Sequence, residues 1–442
     1  MSLLIRSGRI VTMNDALDVI EGDVSIRDGR IVSVGAVDPE LRHDRIIDAG
    51  GSYVLPGLIQ THIHLCQTLF RGYADDLPLL DWLRQRVWPM EAAHTPASLR
   101  AAARLAAVEL LSSGTTTVLT METVHHTEAV FEVIAEAGLR ATIGKCMMDA
   151  APDAPRRLQE ATRAALDESV AIARQWHGAA NGRLRAAFAP RFAVSCSQAL
   201  LEAVGTLSAE QGLLVHTHAS ESRDEIALVR ERTGAGNIEY LARLRLASPR
   251  LCAAHCVWPD DRELSLLAEH DVKVMHCPSS NLKLGSGIAP VTEMRRRGIT
   301  VSLGADGAAC NNRLDMFEEM RLAALLQAVR GTPGALVARD VLWMATRAGA
   351  RTLGLEAEIG SVEPGKRADL IVVERDQPHL VPGADPYSTL VYAARGPDVT
   401  TTIVDGELLV DRGELVRLDR AEVVSDARVA GRELRVRSVN AG

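Results

Sequence analysis

Short apolar runs that end in a polar residue recur through the middle of this 442-residue chain, and that recurrence limits its fold more than any other feature. The runs are GLIQTHIH (57–64), TTTVLTM (115–121), LRATIGKC (139–146), LRAAFAP (184–190), LLVHTH (213–218), LCAAH (251–255), VKVMH (272–276) and TVSLGAD (300–306). Stretches rich in Ala, Leu, Arg and Glu separate most of them, as at 98–114 and 197–212, and read as helices. A strand followed by a helix, repeated eight times across residues 57–356, specifies an α/β fold. Eight such units close into a (β/α)8 barrel of the TIM type.

The two ends of the chain have a different texture. Residues 1–56 alternate apolar and polar side chains, with Asp-Gly at 28–29 marking a hairpin. The same alternation returns at 368–376 and 399–416, with a second Asp-Gly turn at 405–406. Neither end carries enough apolar residues to close a core alone. Residues 1–56 and 357–442 are therefore expected to join as one composite small β-sandwich beside the barrel.

Composition narrows the function classes. Hydrophobic residues at 47% and charged residues at 24% exclude a disordered chain and a collagen. A net charge of -8 and only 3% aromatics argue against nucleic acid as a partner. There is no run of 18 apolar residues, so no membrane partner is expected. The opening MSLLIRSGRIVTMND alternates like a strand rather than reading as a leader. Seven cysteines without C-x-x-C spacing suit reduced thiols in a cytoplasmic protein.

The chemistry sits at the ends of the runs. The C-terminal ends of barrel strands face the active site. In T-H-I-H (61–64), His62 and His64 are two apart on a strand and share a face, and paired imidazoles suit a borderline metal. In H-T-H-A-S-E (216–221), His216 and His218 share a face and Glu221 follows where the strand gives way to its loop. His255 ends the next run, His276 precedes Cys-Pro, and Asp306 ends the last. Taken singly, each is an ordinary structural residue. Together, at one end of successive strands, they point to one divalent metal held by three His and one Asp, with an open position for water.

The stretches G-L-I-Q-T-H-I-H, H-A-S-E, A-A-H-C, H-C-P-S-S-N-L-K-L-G-S-G-I-A-P and L-G-A-D-G resemble the amidohydrolase superfamily. Within it they resemble the branch of S-adenosylhomocysteine, 5-methylthioadenosine and 5'-deoxyadenosine deaminases, related to guanine deaminases and triazine hydrolases. V-L-P-G-L before the barrel and G-K-R-A-D-L (365–370) after it extend the likeness over nearly the whole chain. The resemblance implies a TIM barrel with a composite β domain. It implies one divalent ion, Zn2+ first with Fe2+ or Mn2+ as alternatives, on His62, His64, His218 and Asp306. Its H-x-x-E pattern selects His218 over His216, and it makes Lys145 structural rather than a carbamylated bridge between two metals.

The implied reaction is hydrolytic deamination of a small molecule, an adenine nucleoside such as 5'-deoxyadenosine, 5'-methylthioadenosine or S-adenosylhomocysteine. The products are the inosine analogue and ammonia. Asp306 orients and deprotonates the water, Glu221 protonates the ring nitrogen, and His255 polarises the water or the developing oxyanion. Gln67, Glu91 and Arg157 are implied substrate contacts, Glu91 for the ribose hydroxyls and Arg157 for the sugar and 5' group. Arg191 departs from the pattern, because the nucleoside deaminases show His there. Together with G-K-C-M-M-D (144–149) and D-L-P-L-L-D-W-L (76–83) it resembles guanine deaminase, which is the alternative. An s-triazine amino- or chlorohydrolase is a further alternative, opposed by His276 and the C-P-S-S-N-L that follows it. An inactive metal-binding relative is opposed by the intact Glu221, His255 and Asp306. A homo-oligomer, dimer or tetramer, is also implied.

Overall fold

The computed structural model describes residues 2–38 and 40–440. The chain opens with β1 (Ser2–Val11), β2 (Val19–Arg27), β3 (Arg30–Gly35), β4 (Arg45–Asp48) and β5 (Tyr53–Pro56). A second series follows: β6 (Leu58–His64), β7 (Thr115–Met121), β8 (Arg140–Met147), β9 (Leu184–Pro190), β10 (Val215–Ala219), β11 (Leu251–His255), β12 (Lys273–His276), β13 (Val301–Leu303) and β14 (Asp306–Gly307). The chain returns to strand at β15 (Leu370–Val373), β16 (Val399–Val404), β17 (Glu407–Asp411) and β18 (Glu414–Leu415).

Strands β6 to β13 pair in sequence order, all parallel, with helices covering them. Such strands are buried on both faces, which is why they read as near-continuous apolar runs. β13 pairs with β12 on one side, while β14 pairs with β6 on the other. Only Gly304 and Ala305 separate β13 from β14, so the two ends of the sheet meet and the barrel closes through one interrupted eighth strand. Gly304 is required there, because a Cβ would come within 2.5 Å of the His62 carbonyl oxygen.

The remaining strands form one mixed sheet in the order β18-β17-β16-β15-β5-β1-β2-β3, with β4 paired to β1. The seam between the two ends of the chain is β5 against β15, antiparallel from Pro56↔Leu370 to Tyr53↔Val373. One apolar core takes Leu3, Ile5, Val24 and Val54 from the first end and Leu370, Val372, Ile403 and Leu408 from the last. Both Asp-Gly turns have left-handed backbone, with φ 50° and 79° at Asp28 and Gly29 and 53° and 76° at Asp405 and Gly406.

The last stretch of the chain differs from the β reading of residues 357–442. Arg420–Asn440 is a 21-residue helix that packs on the barrel helix Pro96–Ser112. Val423, Ala427 and Leu434 are buried along it, and Arg104 Nη1 lies 3.1 Å from Glu422 Oε1. These buried positions, four and seven apart, follow the helical period. All seven cysteines are free and buried. Among the described residues, no helix is long and apolar enough to cross a membrane.

Candidate active site

The C-terminal ends of β6, β10 and β11 and the first residue of β14 bring four imidazoles and a carboxylate together. His62 Nε2 and His64 Nε2 each lie 3.2 Å from Asp306 Oδ1, and His218 Nε2 lies 3.3 Å from His64 Nε2. His62, His64 and His218 form one group able to hold an ion, and His62, His255 and Asp306 form another that shares His62. The far nitrogens of the rings are already committed. His64 Nδ1 donates to the Met121 carbonyl and His218 Nδ1 to the Arg191 carbonyl, both at 2.7 Å. His62 Nδ1 meets His216 Nε2 at 2.7 Å, so His216 lies behind His62. Each Nε2 therefore turns a lone pair inward, as metal-ligating histidines do. The buried His62 Nε2 has no hydrogen bond, which leaves a donor free for an ion. Three imidazoles and one carboxylate fit a single divalent metal.

One further carboxyl, Glu221, completes the cavity beside His255 and Asp306. Glu221 Oε2 is 3.5 Å from His255 Nε2, and Asp306 Oδ2 is 3.8 Å from the same atom. Asn281 Oδ1 accepts from His255 Nδ1 at 2.9 Å, which leaves Nε2 facing the cavity. Ser280 Oγ donates to Asp306 Oδ2 at 2.7 Å. Burial, reinforced by the charge of Asp306, pushes the Glu221 carboxyl well above the usual carboxylate range. Burial acts in the same direction on Asp306, but His62 and His64 outweigh it and hold that carboxyl well below the range. Burial also lowers His62 to about 4 and lowers His255, so both rings are neutral. The backbone is left-handed at Ser220 (φ 53°), His255 (72°), Cys256 (44°) and Asp306 (62°), a concentration of strain typical of functional sites.

The cavity is lined by His64, His218, Glu221, His255 and Asp306, with Gln67, Arg191 and Phe192 at its side. Leu79, Trp82 and Leu83 from the helical segment after β6 close it over, leaving about 20 Å3 for the centres of water molecules. That is room for about one water.

The remaining candidates are placed less directly. Glu91 is buried behind the cavity wall. Its Oε2 is 2.5 Å from Arg191 Nη1, its Oε1 is 3.2 Å from Nη2, and Gln67 Nε2 donates to Oε1 at 3.0 Å. Both oxygens that were to grip ribose hydroxyls are thus engaged by Arg191 and Gln67. Arg157 is exposed in a single turn, Arg156–Leu158, and does not line the cavity. Lys145 Nζ points to Glu160, with both oxygens within 2.9 Å. His276 is buried with neither ring nitrogen hydrogen-bonded. Sequence reasoning missed the Glu91–Arg191 pair and the covering role of Leu79, Trp82 and Leu83. The D-L-P-L-L-D-W-L stretch was visible, but nothing in its spacing says which surface it covers.

A family model for the amidohydrolase family matches residues 53–409. A 5'-deoxyadenosine deaminase of Methanothermobacter thermautotrophicus is 43% identical over 434 residues, 98% of this chain and 99% of the relative. A 5-methylthioadenosine/S-adenosylhomocysteine deaminase of Moorella thermoacetica is 41% identical over 425 residues, 95% of this chain and 97% of the relative. The crystal structure of an adenosine deaminase from Xanthomonas campestris with bound zinc is 34% identical. It superimposes with a TM-score of 0.92, covering 98% of each chain.

Proposed function

Because this chain belongs to the amidohydrolase family, we propose that its cavity performs the hydrolytic deamination of an adenine nucleoside without a 5'-phosphate. The substrate class is 5'-deoxyadenosine, 5'-methylthioadenosine or S-adenosylhomocysteine, as the names of the two relatives suggest. The observation that carries the reading is the contrast between two carboxyls in one cavity. Glu221 and Asp306 both face His255 Nε2, at 3.5 and 3.8 Å, beside the His62, His64 and His218 cluster. Burial raises the first carboxyl and the imidazoles lower the second, the direction of separation that assigns an acid and a base.

His62, His64, His218 and Asp306 would hold a single divalent ion, and three imidazoles with one carboxylate favour Zn2+ over Fe2+ or Mn2+. Such an ion, when bound, supplies the Lewis acidity that brings the pKa of water down to about 7. Asp306 accepts a proton from the attacking water. Glu221 delivers its proton to N1 of the purine, drawing electrons from C6 as the water oxygen bonds there. His255, fixed by Asn281, offers Nε2 to the water and the developing oxyanion and can take up the proton that Asp306 received. The proton taken from the water then passes to the amino group and breaks the C6–N bond; ammonia leaves as the remaining hydroxyl proton returns to Glu221 and the ring carbonyl forms. Leu79, Trp82 and Leu83 must yield to admit a nucleoside, and Gln67 and Arg191 stand where its base or sugar would rest.

One observation favours guanine instead, namely the Arg191 guanidinium in the cavity wall. Its pairing with Glu91 satisfies that charge within the protein and leaves it less available to a carbonyl oxygen. Ammonia release from 5'-deoxyadenosine, methylthioadenosine, adenosylhomocysteine, adenosine, guanine and melamine tests the assignment. The adenine nucleosides are expected to lead in kcat/KM. A kcat/KM for guanine well above that of every nucleoside replaces this reading with guanine deaminase.

A further inference from the structure

Two loops at the barrel mouth carry the groups that hold His255 and Asp306. The loop after β12 enters the short helix Pro278–Lys283, where Ser280 donates to Asp306 and Asn281 accepts from His255. The loop after β14 carries Asn311, whose Nδ2 donates at 2.7 Å to the carbonyl of Ala305, the residue before Asp306. One side chain joins the two loops. Glu319, on the helix Met316–Arg330, is completely buried. Its Oε2 accepts from the Ser279 backbone N–H at 3.2 Å. Its Oε1 accepts from Ser279 Oγ at 2.5 Å and from Asn311 Nδ2 at 2.8 Å. Among the described residues, no Lys or Arg forms an ion pair with it, so these three donors carry the whole task of satisfying a buried carboxyl.

We infer that Glu319 is a positioning residue for the deamination. By clamping Ser279 to Asn311 it sets the distance between the loop that orients His255 and the loop that follows Asp306. The inference rests on the proposed reaction only in that His255 and Asp306 act there. Three acceptor bonds are more than a glutamine can reproduce, because its amide has one oxygen and Asn311 Nδ2 is already fixed toward Ala305. Outer partners of metal ligands typically cost about 10–100-fold in affinity or activity when lost.

The test uses the full-length holoenzyme with Glu319→Gln, Asn311→Ala, their double variant, and Ser279→Ala. Glu319→Gln is expected to lower kcat per bound metal by about tenfold and to leave KM within a factor of about two. It is also expected to weaken Zn2+ affinity, measured by chelator competition, by about tenfold. The losses in the double variant are expected to fall short of the product of the single ones, because both act on one clamp. Ser279→Ala removes a single bond and keeps the test open should the Glu319 variants fail to fold. The inference is overturned by kcat per bound metal within about twofold of wild type, by a change confined to KM, or by losses that multiply. If the wild-type protein turns over no adenine nucleoside, the functional reading fails. The Zn2+ affinity of the variants then still decides the inference about Glu319.

Discussion

The two ends of the barrel differ in how they hold buried acids, although the mouth also contains one buried ion pair, Glu91 with Arg191. At the lower end, Arg140 begins β8 and is buried against the small sheet. It forms a bidentate pair with Asp369, at 2.7 and 2.9 Å, and lies 3.6 Å from Asp405. Arg140 and Asp369 each meet an opposite charge, and the pair joins the barrel to the segment that ends the chain. At the mouth, Glu122, Glu225 and Glu319 are all buried and, among the described residues, none has a Lys or Arg ion-pair partner. Each takes backbone N–H groups beside a strand end: Leu65 and Cys66, Glu221 and Ser222, and Ser279. Burial pushes all three up to about 7. The lower end serves cohesion, where breaking a pair strands a charge. The mouth serves geometry, where fixed loops matter more than neutralised carboxyls.

The largest effect is expected at the mouth. Glu221→Gln should keep fold and metal but lower kcat by about a hundred- to ten-thousand-fold, the usual contribution of a general acid. Steady-state ammonia release beside metal analysis measures it. Activity within a factor of about three of wild type removes Glu221 from the mechanism.

At the lower end the loss should appear in stability instead. Arg140→Ala leaves Asp369 buried without its cation, at a cost of about 3–5 kcal/mol. Urea unfolding should show it, while kcat per folded molecule stays near wild type. A loss below about 1 kcal/mol would put this pair on the level of a surface ion pair and erase the contrast between the two ends.

How much of this could be read beforehand depended on whether a residue's neighbours are set by the period of its own element. His62 and His64 are two apart on one strand, so a shared face follows from the pleat alone. Asp306 and His255 end apolar runs, and barrel topology places all such ends together. The Asp-Gly hairpins are local for the same reason. Glu319 gave no such sign: on helical spacing it is one more acid in M-F-E-E-M, and its partners are 40 residues back and 8 residues back in sequence. Glu91 and Arg191 are 100 residues apart, and only closure of the barrel brings them into contact. Arg420–Asn440 was hidden by composition, since its low apolar content buries only a thin stripe.

The uncompensated acids also predict a direction with pH. Glu225 moves from 4.5 to about 7 on folding, chiefly through burial. The folded state therefore keeps a proton that the unfolded chain releases between about pH 4.5 and 7, and stability falls as pH rises through that window. A shift of that size corresponds to about 3 kcal/mol, spent by pH 8. Urea midpoints from pH 5 to 8 should fall more steeply for wild type than for Glu225→Gln, in which Glu122 and Glu319 still act in the same direction. A Glu225→Gln midpoint that falls as steeply with pH as that of wild type means that Glu225 keeps no extra proton in the folded state.

The smallest effect is expected at Arg157, and it is informative beside Glu91, because the same resemblance assigns both to the sugar. Glu91 is buried and holds Arg191 and Gln67, two groups of the cavity wall. Glu91→Ala frees both and leaves the Arg191 cation unpaired, so KM for 5'-deoxyadenosine should rise about tenfold or more. Arg157 lies exposed on a turn whose carbonyl, not its guanidinium, accepts from His125 Nε2 at 2.7 Å. Arg157→Ala should leave KM within a factor of about two, since among the described residues this exposed arginine forms no ion pair. Comparing 5'-deoxyadenosine with S-adenosylhomocysteine sharpens the point, because only the second carries a charged 5' extension. If Arg157→Ala raises KM about tenfold for S-adenosylhomocysteine alone, the turn Arg156–Leu158 closes over the 5' group. Equal KM values for both substrates leave recognition to the buried wall of Gln67, Glu91 and Arg191.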